Sequence, residues 1–348
     1  MRVAMSLVVL FTVLLLGVSI SQNSYGIGNY NFELEWGQSG KTSPGYFLFP
    51  QRIAEDVNGN LYVTDLGNSR IQIFDNMGNF INAWGIYGSD AGEFNSPQGI
   101  VIYENFVFVS DNILNKIQKF DLDGNFITQW GTTGNNNGEL RSPQGLAIND
   151  NILYVADSEN NRIQKFTLDG QYISQFGEKG FNDFNLQNPI DIAFDSFGNT
   201  YVADYEGKKV VKFSIEEEYI DSFDGNFAGF PISPKGIDID KSDNIYVLDS
   251  SRYRIVNFDQ FGLTLKQWGQ FGTGPSQFNL PKDILITSDG YIYAVDTNSH
   301  RIQKFETPFA IPVITTPSEI ITEPEITIEP EITIEPEITI EPEITIEP

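Results

Sequence analysis

Six times along the 348-residue chain a proline opens a short apolar run, at Pro50, Pro97, Pro143, Pro189, Pro234 and Pro281. The intervals are 47, 46, 46, 45 and 47 residues. A fixed period of this length marks a repeat architecture, in which each unit covers its apolar face only against its neighbours. Three residues after each proline stands Ile53, Ile100, Leu146, Ile192, Ile237 or Ile284. After a turn, a second apolar run ends at Asp65, Asp111, Asp157, Asp204, Asp249 or Asp296. Five residues later comes a cation (Arg70, Lys116, Arg162, Lys209, Arg254, Arg301), and four beyond it a phenylalanine, from Phe74 to Phe305.

Apolar and polar positions alternate with the period of a strand, and no stretch has a helical period. Each repeat closes on an aromatic-Gly pair such as Trp84-Gly85, Trp130-Gly131, Phe176-Gly177 or Trp268-Gly269, replaced by Phe223-Asp224 in the fourth. The sixth repeat stops at Phe305 without its last strand. The missing piece stands at the other end of the chain, where Phe32-Glu33-Leu34-Glu35-Trp36-Gly37 precedes the first repeat. The expected fold is all-β: a six-bladed β-propeller of four-stranded blades over residues 30–306, closed by the N-terminal strand completing the last blade. Closure removes the free edges that would otherwise pair with other chains.

Pro143-Gln144-Gly145-Leu146-Ala147-Ile148 and the run from Leu153 through Asp157 and Arg162 to Phe166 resemble NHL repeats. The resemblance covers about residues 30–306. It implies kinship by fold with RNA-binding domains of tripartite-motif proteins, a peptidyl-hydroxyglycine lyase and calcium-dependent lactonases. The lyase relatives depend on histidine-bound zinc, whereas this chain has one histidine, His300, and no cysteine. Fold alone does not choose among these activities.

Both ends of the chain read differently from the repeats. Met1-Arg2 followed by the apolar stretch Ala4 to Ile20 reads as a signal peptide over residues 1–21, cleaved after Ser19-Ile20-Ser21. Retained, the same stretch would anchor the chain in a membrane. Either reading places the protein outside the cytoplasm. Residues 22–29 form a short linker. Residues 307–348 hold ten glutamates and no Lys or Arg, and repeat Pro-Glu-Ile-Thr-Ile-Glu four times from Pro324. Proline every sixth residue and like charge favour an extended tail, a spacer or a docking strand.

The whole chain has 21 Lys+Arg against 47 Asp+Glu, a net charge of −26. Without Arg2 and the tail the propeller keeps 20 − 37 = −17. That balance argues against nucleic acid, whose binding begins with cations on phosphates. The six Asp/cation pairs occur in every blade and are therefore expected to be structural. Asp121-Leu122-Asp123-Gly124 is expected to be a hairpin turn rather than a calcium loop. His300 occupies an expected exposed turn.

Departures from the repeat are the candidate site. Two residues past the proline, blades two, three and five carry Gly99, Gly145 and Gly236, whereas blades one, four and six carry Arg52, Asp191 and Asp283. Glu55 and Asp238 likewise replace apolar or small residues. First strands line a propeller's channel, so Asp191, Asp283 and Glu55 are candidate Ca²⁺ ligands, with Arg52 and Asp238 as binding residues. The competing reading is an ion pair with Arg52. The functional expectation is a secreted, monomeric, non-catalytic scaffold for an extracellular or cell-surface protein or polymer. Its contacts would lie on the interblade loops 87–93, 132–139, 178–183 and 270–277. The alternative is a Ca²⁺-dependent, lactonase-like extracellular hydrolase with its site in the channel.

Overall fold

The computed structural model describes residues 30–225 and 231–307. The expected signal peptide and linker lie outside the described residues, as does the tail beyond Thr307. The described residues form six four-stranded antiparallel sheets, five of them from consecutive strands. Blade 1 runs Pro50–Glu55, Leu61–Asp65, Arg70–Phe74 and Phe80–Trp84 from the axis outward. The other inner strands are Pro97–Tyr103, Pro143–Asn149, Pro189–Phe194, Pro234–Ile239 and Asp283–Ile286. Proline suits these starts because its missing N–H falls at the end of a ladder.

The sixth sheet is completed from the far end of the sequence. Asn31–Trp36 pairs antiparallel with Arg301–Glu306, from Asn31 opposite Glu306 to Trp36 opposite Ile302, with a bulge at Phe32/Leu34. Arg301 Nη1 meets Glu35 Oε2 at 2.7 Å and Lys304 Nζ meets Glu33 Oε2 at 2.9 Å across that seam. Trp36 then packs edge-on to Tyr293 and against Phe74, joining blade 6 to blade 1.

The core is six apolar clusters, one per blade interface. Phe47, Ile53, Val63 and Phe74 of blade 1 and its entry loop meet Tyr293, Val295 and Ile302 of blade 6 in one of them. Each fully buried side chain of this size contributes about 1.5–3 kcal/mol. The closing aromatics lie over the next blade's outer hairpin: a Cβ at Gly124 would fall 2.3 Å from the Trp84 indole. Gly124 also has φ +87, so the turn that receives the ring calls for glycine twice over.

The repeated aspartates hold the blades' entry loops. Asp157 Oδ1 accepts the Arg141 N–H at 2.7 Å, while Oδ2 accepts from Arg162 Nε at 2.7 Å and Gln164 Nε2 at 3.0 Å. Arg162 Nη2 reaches on to the Glu139 carbonyl at 2.9 Å, and so clamps the loop. The same Asp–Arg pair forms at Asp65, Asp249 and Asp296. The two lysine blades depart from the expected pairing. Lys116 and Lys209 pass over the aspartate to donate to loop carbonyls of Ser89 and Asp90, and of Asn182 and Asp183. A lysine offers one donor centre where arginine offers a fork, so it takes the loop and leaves the carboxylate to backbone N–H groups.

The slot expected to be an exposed turn is a left-handed one. Ser69, Asn115, Asn161, Lys208, Tyr253 and His300 all have φ between 51° and 58°. His300 is only partly exposed, and its Nδ1 accepts the Phe49 N–H at 3.1 Å. Asp121 forms the expected hairpin turn, its Oδ1 accepting from the N–H groups of Asp123 and Asn125.

Replacing Asp157 by alanine should strand a buried guanidinium and free the loop. The expected loss is about 3–5 kcal/mol, the usual cost of breaking a buried pair from one side. Denaturant unfolding with an unchanged m-value would check it.

Candidate functional site

The inner strands of all six blades surround a channel cavity of about 410 Å³. The residues two past each proline form one layer across it. Gly145 and Gly236 are where a side chain would collide with the neighbouring inner strand: a Cβ at Gly145 would lie 2.5 Å from Asp191 Oδ1, and one at Gly236 2.8 Å from the Asp283 Cα. The two carboxylates of the layer therefore stand beside glycines of the preceding blade.

Arg52 crosses this layer. Its Nη1 meets Asp191 Oδ2 at 2.6 Å and Asp283 Oδ1 at 2.7 Å, while Nη2 donates to the Ile190 carbonyl at 2.7 Å. All three side chains are buried. The carboxylates also bind the next blade: Asp191 Oδ2 accepts the Ile237 N–H and Asp283 Oδ2 the Ile53 N–H, both at 2.9 Å. One guanidinium and two carboxylates thus tie blades 1, 4, 5 and 6 together. Burial pushes both carboxyls up, and the Arg52 charge pulls them back down. Arginine itself stays protonated in proteins.

The structure brings together Arg52, Asp191 and Asp283, and places the other two candidates apart from that contact. Asp238 Oδ2 accepts the Ile286 N–H at 2.6 Å and its Oδ1 that of Ile239 at 2.8 Å. With no cation against it, burial pushes its carboxyl up to about 7. Glu55 is partly exposed and is pushed up to about 7 by burial and by Asp289 and Asp56. Its electrostatic partners are those hairpin acids rather than Asp191 or Asp283.

These donors do not fit a Ca²⁺ ion as they stand. Calcium takes six to eight oxygens. Here the oxygens of Asp191 and Asp283 that face one another already accept N–H groups, and Arg52 supplies the positive charge between them.

Two residues of this region were outside the sequence reading. Lys235 and Lys282 directly follow their prolines, where the other blades have Gln51, Gln98, Gln144 and Ile190. The departure is legible in the repeat, one position before the layer of Arg52, Asp191 and Asp283. Of the cations clustered in sequence at Lys208, Lys209 and Lys212 and at Arg252 and Arg254, most are engaged. Lys212 meets Asp195 at 3.4 Å, and both arginines hold Asp249.

Comparison with known proteins fits the repeat and the architecture. A family model described as NHL repeat matches residues 140–166, and one described as 6-bladed beta-propeller matches residues 50–135. This chain is a six-bladed β-propeller, and one of its repeats matches the NHL repeat. NHL repeat-containing protein 3 of Homo sapiens is 29% identical over 77 residues, which is 21% of this chain and 22% of that protein. The Mus musculus protein is 27% identical over the same share. The match therefore spans about a fifth of these relatives' length. Among solved structures, a Bacteroides thetaiotaomicron protein of unknown function aligns with TM-score 0.62 at 16% identity, over 80% of this chain and 76% of that one. A streptogramin B lyase aligns at 0.57 and 16%, over 80% and 98% of the two chains. A Xanthomonas campestris gluconolactonase aligns at 0.57 and 13%, over 75% and 87%. At such identities the likeness is one of fold.

Removing the cation from the layer should expose its cost. Arg52→Met leaves two buried carboxylates facing each other, an expected loss of about 3–5 kcal/mol at neutral pH. Without Arg52 their folded-state pKa values rise further above the unfolded value. A carboxyl raised in this way is stabilising below its unfolded pKa, and the contribution is lost as pH rises through the folded pKa. The deficit of the variant should therefore shrink as pH falls from neutral toward the ordinary carboxylate range, in thermal unfolding against pH.

Proposed function

We propose that this protein is an exported, non-catalytic binding scaffold whose interblade loops engage a protein or polymer at the cell surface. One observation carries the reading. Tyr87, Phe181 and Phe271, on three different interblade loops, are 73%, 88% and 64% exposed. Each of these loops leads into an inner strand, so all three rings stand on the face where inner strands begin. Phe197 and Phe261 are as exposed on the opposite, hairpin face; on the loops, exposed large apolar side chains are the usual anchors of an interface.

The loops beneath the rings are stiff. Each is pinned at its base by a parallel bridge, such as Tyr87 to Phe94 and Lys179 to Leu186, or by the short pair Gln270–Phe271 with Gln277–Phe278. Glu93 Oε2 accepts the Asp90 N–H, and Glu139 Oε2 that of Asn136, which fixes the loop crowns. Rigid loops lose little entropy on binding.

Tyr87→Ser, Phe181→Ser and Phe271→Ser combined should weaken binding to the envelope of the exporting cell at least about tenfold, a change of about 1.4 kcal/mol. Melting should be unchanged, since the rings are exposed. Sedimentation with the envelope fraction measures it, and undiminished binding by the triple variant would sink the reading.

The alternative, a Ca²⁺-dependent hydrolase in the channel, would need Arg52 to release Asp191 and Asp283. The expected melting midpoint is therefore the same in EDTA and in Ca²⁺. A bound ion at a hundredfold excess over its Kd would stabilise by about 2.7 kcal/mol. Such a rise, abolished in Asp191→Asn with Asp283→Asn, would restore the hydrolase.

A further inference from the structure

Cations are scarce on this propeller, and nearly every interior one is matched. The arginines of the blade interior end on carboxylates, and the lysines of the third strands on carboxylates or loop carbonyls. Lys235 and Lys282 break that rule. Each follows the opening proline of an inner strand, in the adjacent blades 5 and 6, and each is half-buried. Among the described residues no carboxylate or carbonyl lies within ion-pair or hydrogen-bond distance of either ammonium group.

What faces them is mostly of their own sign. Lys235 feels Lys282 and Arg52 as like charges, with the exposed Glu206 as its one opposing charge. Lys282 feels Arg52. The ammonium of Lys235 rests 3.2 Å from the ring centre of Tyr205, on blade 4. Burial and the neighbouring cations bring Lys235 down to about 7 and lower Lys282 as well. Holding two half-buried cations near one another without a paired counter-charge is costly. On a body with 37 carboxylates, only the exposed Glu206 opposes that charge, and at Lys235 alone.

We infer that the channel mouth on the loop face, between blades 4, 5 and 6, is an oxyanion site in which Lys235 and Lys282 are the cationic ligands of a phosphate or carboxylate group. The position follows from the strands: both lysines lie at the starts of inner strands, one residue above the Arg52 layer. Arg52 is itself neutralised by Asp191 and Asp283, so the anion answers the two lysines. Tyr205 forms an aromatic wall on one side. The site needs no partner protein, and takes small anions directly.

The test uses the full chain and two probes, inorganic phosphate and acetate, titrated by calorimetry at mildly acidic pH with ionic strength held constant by chloride. Lys235→Gln and Lys282→Gln should each weaken binding of the preferred anion at least about tenfold, whereas Lys235→Arg should retain it. Without anion, both glutamine variants should melt at or above the parent, because removing one cation relieves the repulsion. Affinity should fall as pH rises past neutrality and Lys235 loses its proton. The preferred anion should also protect Lys235 from acetylation, mapped by mass spectrometry. Preference for phosphate or for acetate identifies the group. A parent chain that takes up neither anion, or glutamine variants that bind as the parent does, would overturn the site.

Discussion

The propeller depends on one antiparallel pairing between the two ends of its sequence. Residues 31–36 supply the outer strand of a sheet whose other three strands, 283–286, 291–296 and 301–306, come from the far end of the propeller sequence. Without that strand Arg301–Glu306 would present an open ladder, and Trp36 would leave both Tyr293 and Phe74. The pairing is a long loop closure, whose entropic cost grows only slowly with length. At the seam two buried cations, Arg301 and Lys304, reach half-exposed glutamates above the buried rings.

Much of the protein's acidity is turn and loop chemistry. Six buried aspartates hold the entry loops of their blades. A second set, Asp56, Asp75, Asp121, Asp195, Asp240 and Asp259, folds the hairpins at the opposite ends of the strands. In each of these the carboxylate accepts the N–H groups two and four residues on. Short polar side chains suit this because they satisfy backbone donors that the turn leaves unpaired. Both faces display exposed aromatics, Phe197 and Phe261 on the hairpins and Tyr87, Phe181 and Phe271 on the pinned loops, while Lys235 and Lys282 stand on the loop side.

The channel layer puts charge where a propeller usually narrows. Three blades contribute glycine so that the others can contribute Arg52, Asp191 and Asp283, and the guanidinium bonds across the ring. A triad of this kind is not strong evidence of stability by itself, since desolvation offsets much of the attraction. Its geometric consequence is firmer. Its hydrogen bonds run between blades 1, 4, 5 and 6, so it fixes how those inner strands meet.

The fold was legible because a propeller repeats its physics: alternation within strands, proline at their starts and glycine after the closing aromatic recur every 45 to 47 residues. The layer of Arg52, Asp191 and Asp283 was also legible, as a break in that repeat. Its meaning was not. Whether two carboxylates hold a metal or an arginine depends on distances across the ring, between residues as far apart as 231 positions. Glu55 and Asp238 show the same limit, since repeat position placed them by the channel but not in the contact. The sequence by itself determined six blades, their closure and the residues that line the axis. Only the tertiary structure decided which charges meet, because pairing is set by reach and burial across the ring. That is how Arg52 came to be paired with two carboxylates while Lys235 and Lys282 were left without an ion pair.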